Sequence, residues 1–361
     1  MRRNKGLAAL AVVAASATIT AGCSASGTDR NDTPPAGGHV VLVDGDRHGY
    51  ITFDTEHEVL SGYTSDGKQA WQERRFFPTD VHCATSCPDA AISATAEMND
   101  SGSETRVIWK HGGGSTTQSF PHKSLVVQWA ENKDTWVATS ESGLIWSDAG
   151  KVHKKSFAKG VSDSMGRISE DHSALLISVQ QEGATSWSAY RFPLSGERLS
   201  PSVISTRLPG SVGCVSPGKG TMWTLGDKAS EFSSTTGEKI RGTEQFASDC
   251  ASSDTSTLLG AFSADTDEPT QELSITSGGR RSPFNEVTVK SAGEIGVYKN
   301  CGVLLSDGRL TALSPRGKKV ETTIPAHSML TAPGGRVYSV GSSGEVEQHT
   351  ITAGAGSCRI D

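Results

Sequence analysis

Gly-centred turns recurring about every 42 residues, short alternating apolar runs, and no helical periodicity beyond the N-terminus predict an all-β chain. A period of roughly 40–45 residues with strands on both sides of each turn is the pattern of a β-propeller blade. The predicted fold is therefore a β-propeller of seven or eight four-stranded blades over residues 39–361, preceded by an export signal (1–22) and a flexible tether (23–38).

The N-terminus comes first. Arg2, Arg3 and Lys5 are followed by an uncharged stretch from Gly6 to Thr20, the charged and apolar regions of an export signal. The run is too short for a bilayer-spanning helix, which needs roughly 20 apolar residues. Thr20, Ala21, Gly22 and Cys23 then resemble the bacterial lipobox, with Thr20 where Leu is usual. That resemblance implies a diacylglyceryl group on Cys23 and a chain anchored in the cell membrane on its extracytoplasmic face. Two acyl chains suffice for stable anchoring.

Residues 24–38 are small or polar and lack apolar periodicity. They cannot bury enough surface to offset ordering, so they read as a tether. The whole chain has a formal net charge of −6, and removal of the three cations with residues 1–22 takes it to −9. An acidic balance argues against a nucleic-acid partner.

Six cysteines follow Cys23: Cys83, Cys87, Cys214, Cys250, Cys301 and Cys358. An even number in an exported chain reads as disulfides. Several pairings are possible, and proximity within the repeat favours Cys83 with Cys87, Cys214 with Cys250, and Cys301 with Cys358. A metal or redox site at CATSC is disfavoured by its C-x3-C spacing.

The repeat is carried by turns at Gly67, Gly113, Gly150, Gly196, Gly237, Gly279 and Gly317, separated by 37 to 46 residues. Between them lie bursts such as Val40–Val43, Leu175–Val179 and Val303–Leu305, bounded by Gly, Asp, Ser and Pro, which are strand signals. Cys301–Val320 shows the local logic: a buried strand, a Ser306-Asp307-Gly308 turn, an alternating strand, then Pro315-Arg316-Gly317 leading into the outer strand. Residues 328–352 read as three strands lacking a fourth, which His39–Gly45 could supply, closing the ring by strand exchange. Counting that shared blade gives eight. Seven follow if the turn at Gly113 or Gly279 is an ordinary loop.

The turn and outer-strand segments resemble the quinoprotein-like β-propeller repeat, in which the turn Gly is followed by a Trp that docks between blades. Gly67, Lys68 and Trp71 match, as do Thr236 and Gly237. The Asp expected before the turn is Tyr63, Ser233 and Leu313 in three copies, which removes support for a bound quinone. TSDGKQAW also resembles the sialidase Asp-box, with its Gly one residue early. Both elements lock a hairpin and speak to fold rather than catalysis. Residue usage biased toward Ala, Gly, Ser, Thr and Asp points to a high-GC source such as an actinobacterium.

No complete catalytic signature is present. The G-x-x-x-x-G-K spacings at Gly62–Lys68 and Gly213–Lys219 are followed by Gln69 and Gly220, where a phosphate loop needs Ser or Thr. Asp265, Asp267 and Glu268 lack the Gly-hinged spacing of a calcium loop and read as a solvated turn. His82, His111, His122, His153 and His172 show no ligand spacing. No metal or cofactor is expected. Trp71, Trp109, Trp136, Trp146 and Trp187 are expected to fill the wedges between blades. The expectation is a non-enzymatic binding or scaffold protein for a protein, peptide or cell-wall glycan, by analogy with propeller lipoproteins that act as assembly scaffolds. The alternative is a membrane-tethered quinone-coupled dehydrogenase or glycoside-cleaving enzyme.

Overall fold

The computed structural model describes residues 39–361 except 75–79, 84–86, 100–101, 112–113, 122–126, 130–133, 170–172, 195–197, 217–219, 244, 264–269, 278–283, 291–292, 333 and 355. The signal segment, Cys23 and the tether lie outside the described residues. The described chain contains strands and turns with no helix.

Among the described residues, eight antiparallel sheets, each of four strands in chain order, account for every strand. Blade 1 contains β1 (Val40–Gly45), β2 (Gly49–Asp54), β3 (Val59–Thr64) and β4 (Gln69–Arg74); blade 2 contains β5 (Asp80–Cys83), β6 (Ala90–Asn99), β7 (Gly102–His111) and β8 (Gly114–Pro121). Blade 3 contains β9 (Val127–Trp129), β10 (Trp136–Ser140), β11 (Gly143–Asp148) and β12 (Lys151–Ser156); blade 4 contains β13 (Val161–Ile168), β14 (Ala174–Gln181), β15 (Trp187–Pro193) and β16 (Ser202–Leu208). Blade 5 contains β17 (Val212–Ser216), β18 (Thr221–Thr224), β19 (Ser230–Ser233) and β20 (Lys239–Gly242); blade 6 contains β21 (Asp249–Ser252), β22 (Ser256–Ser263), β23 (Thr270–Ser277) and β24 (Asn285–Lys290). Blade 7 contains β25 (Ile295–Tyr298), β26 (Cys301–Ser306), β27 (Arg309–Leu313) and β28 (Lys319–Pro325); blade 8 contains β29 (Ser328–Ala332), β30 (Arg336–Val340), β31 (Val346–Ala353) and β32 (Cys358–Ile360).

Period-2 alternation explains how one blade serves two neighbours. On β14, Leu175, Ile177 and Val179 pack against Val137, Leu144 and Trp146 of blade 3. The alternate residues Ala174 and Leu176 pack against Val212, Val215 and Met222 of blade 5. Both faces are covered, so β14 reads as a nearly continuous apolar run rather than a clean alternation. Outer strands are the opposite case: β12 (KVHKKS) has mostly exposed side chains, and its lysines protect an open sheet edge from pairing with another chain.

Every neighbouring pair of blades has such an interface. Blades 1 and 2 share Phe53, Trp71 and Val81, blades 2 and 3 an edge-on Phe120–Trp136 contact at 4.7 Å, and blades 5 and 6 Trp223 and Leu259. Blades 6 and 7 share Ile275 and Leu304, blades 7 and 8 Val303 and Val337, and blades 8 and 1 Tyr338 and Leu42. The eight sheets thus form a closed ring with the first strand of each blade nearest the axis.

Closure differs from the expected strand exchange. β1 is the innermost strand of blade 1, paired with β2, and blade 8 supplies its own outer strand. β32 pairs with β31 through Ile351 with Ile360 and Ala353 with Cys358. A three-residue strand after a Gly-rich turn is too short to register as a strand in the sequence. Its hold comes from burial of Cys358 and Ile360 and from the disulfide to Cys301 of blade 7.

Candidate functional site

Four of the predicted turns are described. Gly67, Gly150, Gly237 and Gly317 have φ of 80°, 84°, 69° and 74°, and each joins the third strand of a blade to the outermost. Gly113, Gly196 and Gly279 lie outside the described residues, in the intervals β7–β8, β15–β16 and β23–β24. At TSDGKQAW the hairpin is locked by Thr64. Its hydroxyl donates to the Asp66 carboxylate and to the Lys68 carbonyl (3.0 Å), and the Lys68 N–H returns at 3.2 Å. Trp71 is buried, donates its indole N–H to Pro88 O of blade 2 at 2.7 Å, and leaves no room for a side chain at Gly62. This element is a blade joint.

Trp136, Trp146 and Trp187 are likewise buried between blades. The Trp109 side chain is outside the described residues, as are those of His82 and His111, together with His122, His172, Asp265, Asp267 and Glu268. His153 stacks on Trp146, ring centroids 5.4 Å apart. Gly62–Lys68 runs through β3 and its hairpin with no following helix, so it cannot build a phosphate loop.

The six cysteines form three bonds, Cys83–Cys87, Cys214–Cys250 and Cys301–Cys358, with Cα separations of 5.1, 5.8 and 5.7 Å. The second joins the innermost strands of blades 5 and 6, at the wall of the central channel.

Among the described residues, ionisable groups on or beside the innermost strands include Glu294, Asp249, Arg167 and Asp44, whose carboxylate accepts the Cys83 N–H of blade 2 at 2.5 Å; none is marked by a sequence motif. Glu294, just before β25, accepts hydrogen bonds from the Met329 N–H and, at 3.3 Å, from the Ser328 hydroxyl; the Ser328 oxygen in turn accepts the Leu42 N–H at 3.1 Å. One carboxyl thereby links blades 7, 8 and 1. Its side chain touches solvent although protein surrounds it on most sides, and burial pushes its pKa up to about 7 against the pull of those two hydrogen bonds. Asp249 opens β21; burial raises its pKa, while the Cys250 N–H and the Arg167 charge pull it down. Arg167 of β13 donates to Gly213 O of blade 5 at 2.6 Å. Glu294 and Arg167 each grip the backbone of a neighbouring innermost strand, whereas the Asp249 carboxylate takes the N–H of Cys250 on its own strand at 2.7 Å. Among the described residues, no three His, Cys, Asp or Glu side chains come together to hold a metal ion.

A more elaborate cluster lies between blades 5 and 6. Arg241 of β20 forms a buried ion pair with Glu231 of β19 at 2.6 Å. Its guanidinium lies 5.3 Å from the Trp223 ring and 5.0 Å from the Phe284 ring, and these two rings meet edge-on. This is packing chemistry, worth up to about 2 kcal/mol per desolvated cation–π contact.

No family model matches this chain, and none of the curated proteins does. Solved structures do. BamB from Moraxella catarrhalis aligns with a TM-score of 0.54 at 13% identity, covering 85% of this chain and 95% of that one. The WD40 domain of SCAP from fission yeast gives 0.55 at 10% identity over 83% and 92%. The chain is a β-propeller. The computationally designed Ika8 protein, at a TM-score of 0.51 and 9% identity over 87% and 97%, is similar as well. Identities this low speak to architecture alone, so the propeller's function has to come from its own surface.

Proposed function

We propose that this propeller is an extracytoplasmic binding or scaffold protein, anchored to the cell membrane by an acylated Cys23 and a flexible tether, that presents a rim of loops to a protein, peptide or cell-wall glycan. The observation that carries this reading is the use of the channel's polar groups: Glu294 and Arg167 are spent on holding neighbouring strands together. Catalysis needs groups aimed at a common reacting atom. The test is recovery of partners with the acylated protein from its native membrane, read by mass spectrometry. A reproducible partner supports the reading; no partner, together with turnover of a quinone-coupled alcohol or an aryl glycoside, overturns it. For the anchor, a Cys23→Ala chain is expected in the medium, and retention on the membrane contradicts lipidation.

One observation favours the enzyme alternative. A carboxyl with a pKa of about 7 suits general acid–base work at neutral pH. If Glu294 serves that role, Glu294→Gln abolishes turnover of one of those substrates while the ring stays folded.

A further inference from the structure

Blades 5 and 6 differ in height, and the step between them leaves a notch. β18, β19 and β20 have four residues each, whereas β22 and β23 have eight. The short blade cannot cover the whole face of the tall one. The chain leaving β20 crosses this face. Gln245 is fixed on it, its amide donating to Glu286 and its carbonyl oxygen accepting from Ser274 at 2.6 Å. Ala247 is pinned by reciprocal hydrogen bonds with Gly226 of 2.9 and 3.0 Å. Phe246, held between these two anchors, is 47% exposed. The result is an open notch lined by Gln245, Phe246, Leu259, Ala261, Glu272 and Ser274.

The lining narrows the occupant. Phe246, Leu259 and Ala261 offer an apolar wall of one side chain's length, and Glu272 is an exposed carboxylate beside it. Glu286 stands behind Gln245. Among the described residues neither glutamate is in an ion pair, and Glu286 accepts the Gln245 amide. The notch opens on the end of the ring where the chain enters β1, and loops at that end expose Glu141, Glu182 and Asp227 together with Lys159 and Lys228. An aromatic wall next to the Glu272 carboxylate favours a long aliphatic stem ending in a cation.

We propose that this notch receives a lysine or arginine side chain from a basic segment of a partner polypeptide, its stem along Phe246 and Leu259 and its charge at Glu272. The inference rests on the binding reading above and names the partner's chemistry.

The test titrates the full acylated chain in detergent with a fluorescein-labelled hexapeptide of alternating leucine and arginine, and with its analogue carrying neutral citrulline for arginine, by fluorescence anisotropy. The arginine peptide is expected to bind about tenfold more tightly than the citrulline peptide, and Phe246→Ala and Glu272→Gln are each expected to weaken it about fivefold. Both positions are exposed, so an unchanged melting temperature is expected for each variant. Equal affinity for the two peptides, unchanged affinity in both variants, or no saturable binding up to millimolar peptide overturns the notch. A membrane partner recovered equally by the wild type and by Phe246→Ala leaves the scaffold reading standing and removes the notch from it.

Discussion

The joint between blades 5 and 6 and the seam between blades 8 and 1 solve one packing problem by different chemistry. Blades 5 and 6 are consecutive, and their joint is covalent and aromatic: Cys214–Cys250 across the innermost strands, Trp223 fully buried, and Arg241, paired with Glu231, stacked on two rings. Blades 8 and 1 are the two ends of the chain, and their seam is polar. Ser328 accepts from Leu42 across 286 residues of sequence, the His327 ring meets Val40 O at 2.8 Å, and the Tyr338 hydroxyl donates to Asp46 O at 3.1 Å. Tyr50 and Tyr338 add a ring contact at 4.9 Å. The difference teaches that this ring closes by hydrogen bonds and ring contacts between complete blades, while the disulfides that join blades lie at the 5/6 and 7/8 joints.

The largest expected effect breaks the aromatic joint. Trp223→Ala empties a fully buried site and is expected to cost about 3–5 kcal/mol in urea denaturation; a loss below about 1 kcal/mol would show the ring tolerates a cavity there. Next is the covalent tie that holds the last strand. Cys301→Ser with Cys358→Ser opens a loop spanning 57 residues of sequence and is expected to lower stability by about 2–4 kcal/mol. The variant should also show faster proteolysis at the C-terminus than in blade 5.

The seam carries a pH term. The folded pKa of Glu294 is raised from 4.5 to about 7, so between those values the folded chain binds a proton that the unfolded chain has released. The stability it contributes is fully present below pH 4.5 and is lost as pH rises through 7. Because the carboxyl touches solvent, the amplitude is on the order of 1 kcal/mol. Glu294→Gln should remove this component from a plot of stability against pH, whereas the same plot for Trp223→Ala keeps it. The smallest effect comes from Tyr338→Phe, which deletes one hydrogen bond across the seam and should cost about 0.5–1.5 kcal/mol.

The hairpins were legible because their signals are local. Asp307 and Gly308, with φ of 53° and 68°, are the residues a tight two-residue turn requires, and the Gly67 turn announces itself in the same way. The inner strands were legible as short apolar runs bounded by turn residues, as on β14, whose two faces are both covered. The closure was not. β32 has three residues, and its stability comes from a cysteine and an isoleucine buried against blade 7, a tertiary effect without a local pattern. Glu294 lies in Ser-Ala-Gly-Glu, which reads as an ordinary loop; its role comes from Ser328 and Met329, more than thirty residues away. Trp223 carries no local mark in the sequence, and Arg241 and Phe284 reach it only because blades 5 and 6 are adjacent in space.

Native-state hydrogen exchange followed residue by residue tests the contrast between the two joints most directly. Amides of β29 and β1, Leu42 and Met329 among them, are expected to exchange through openings of lower free energy than amides of β17 and β21, and reduction of the disulfides is expected to narrow the gap. Equal protection at both joints, or stronger protection at β1 and β29, would contradict a ring whose polar seam is its weakest joint.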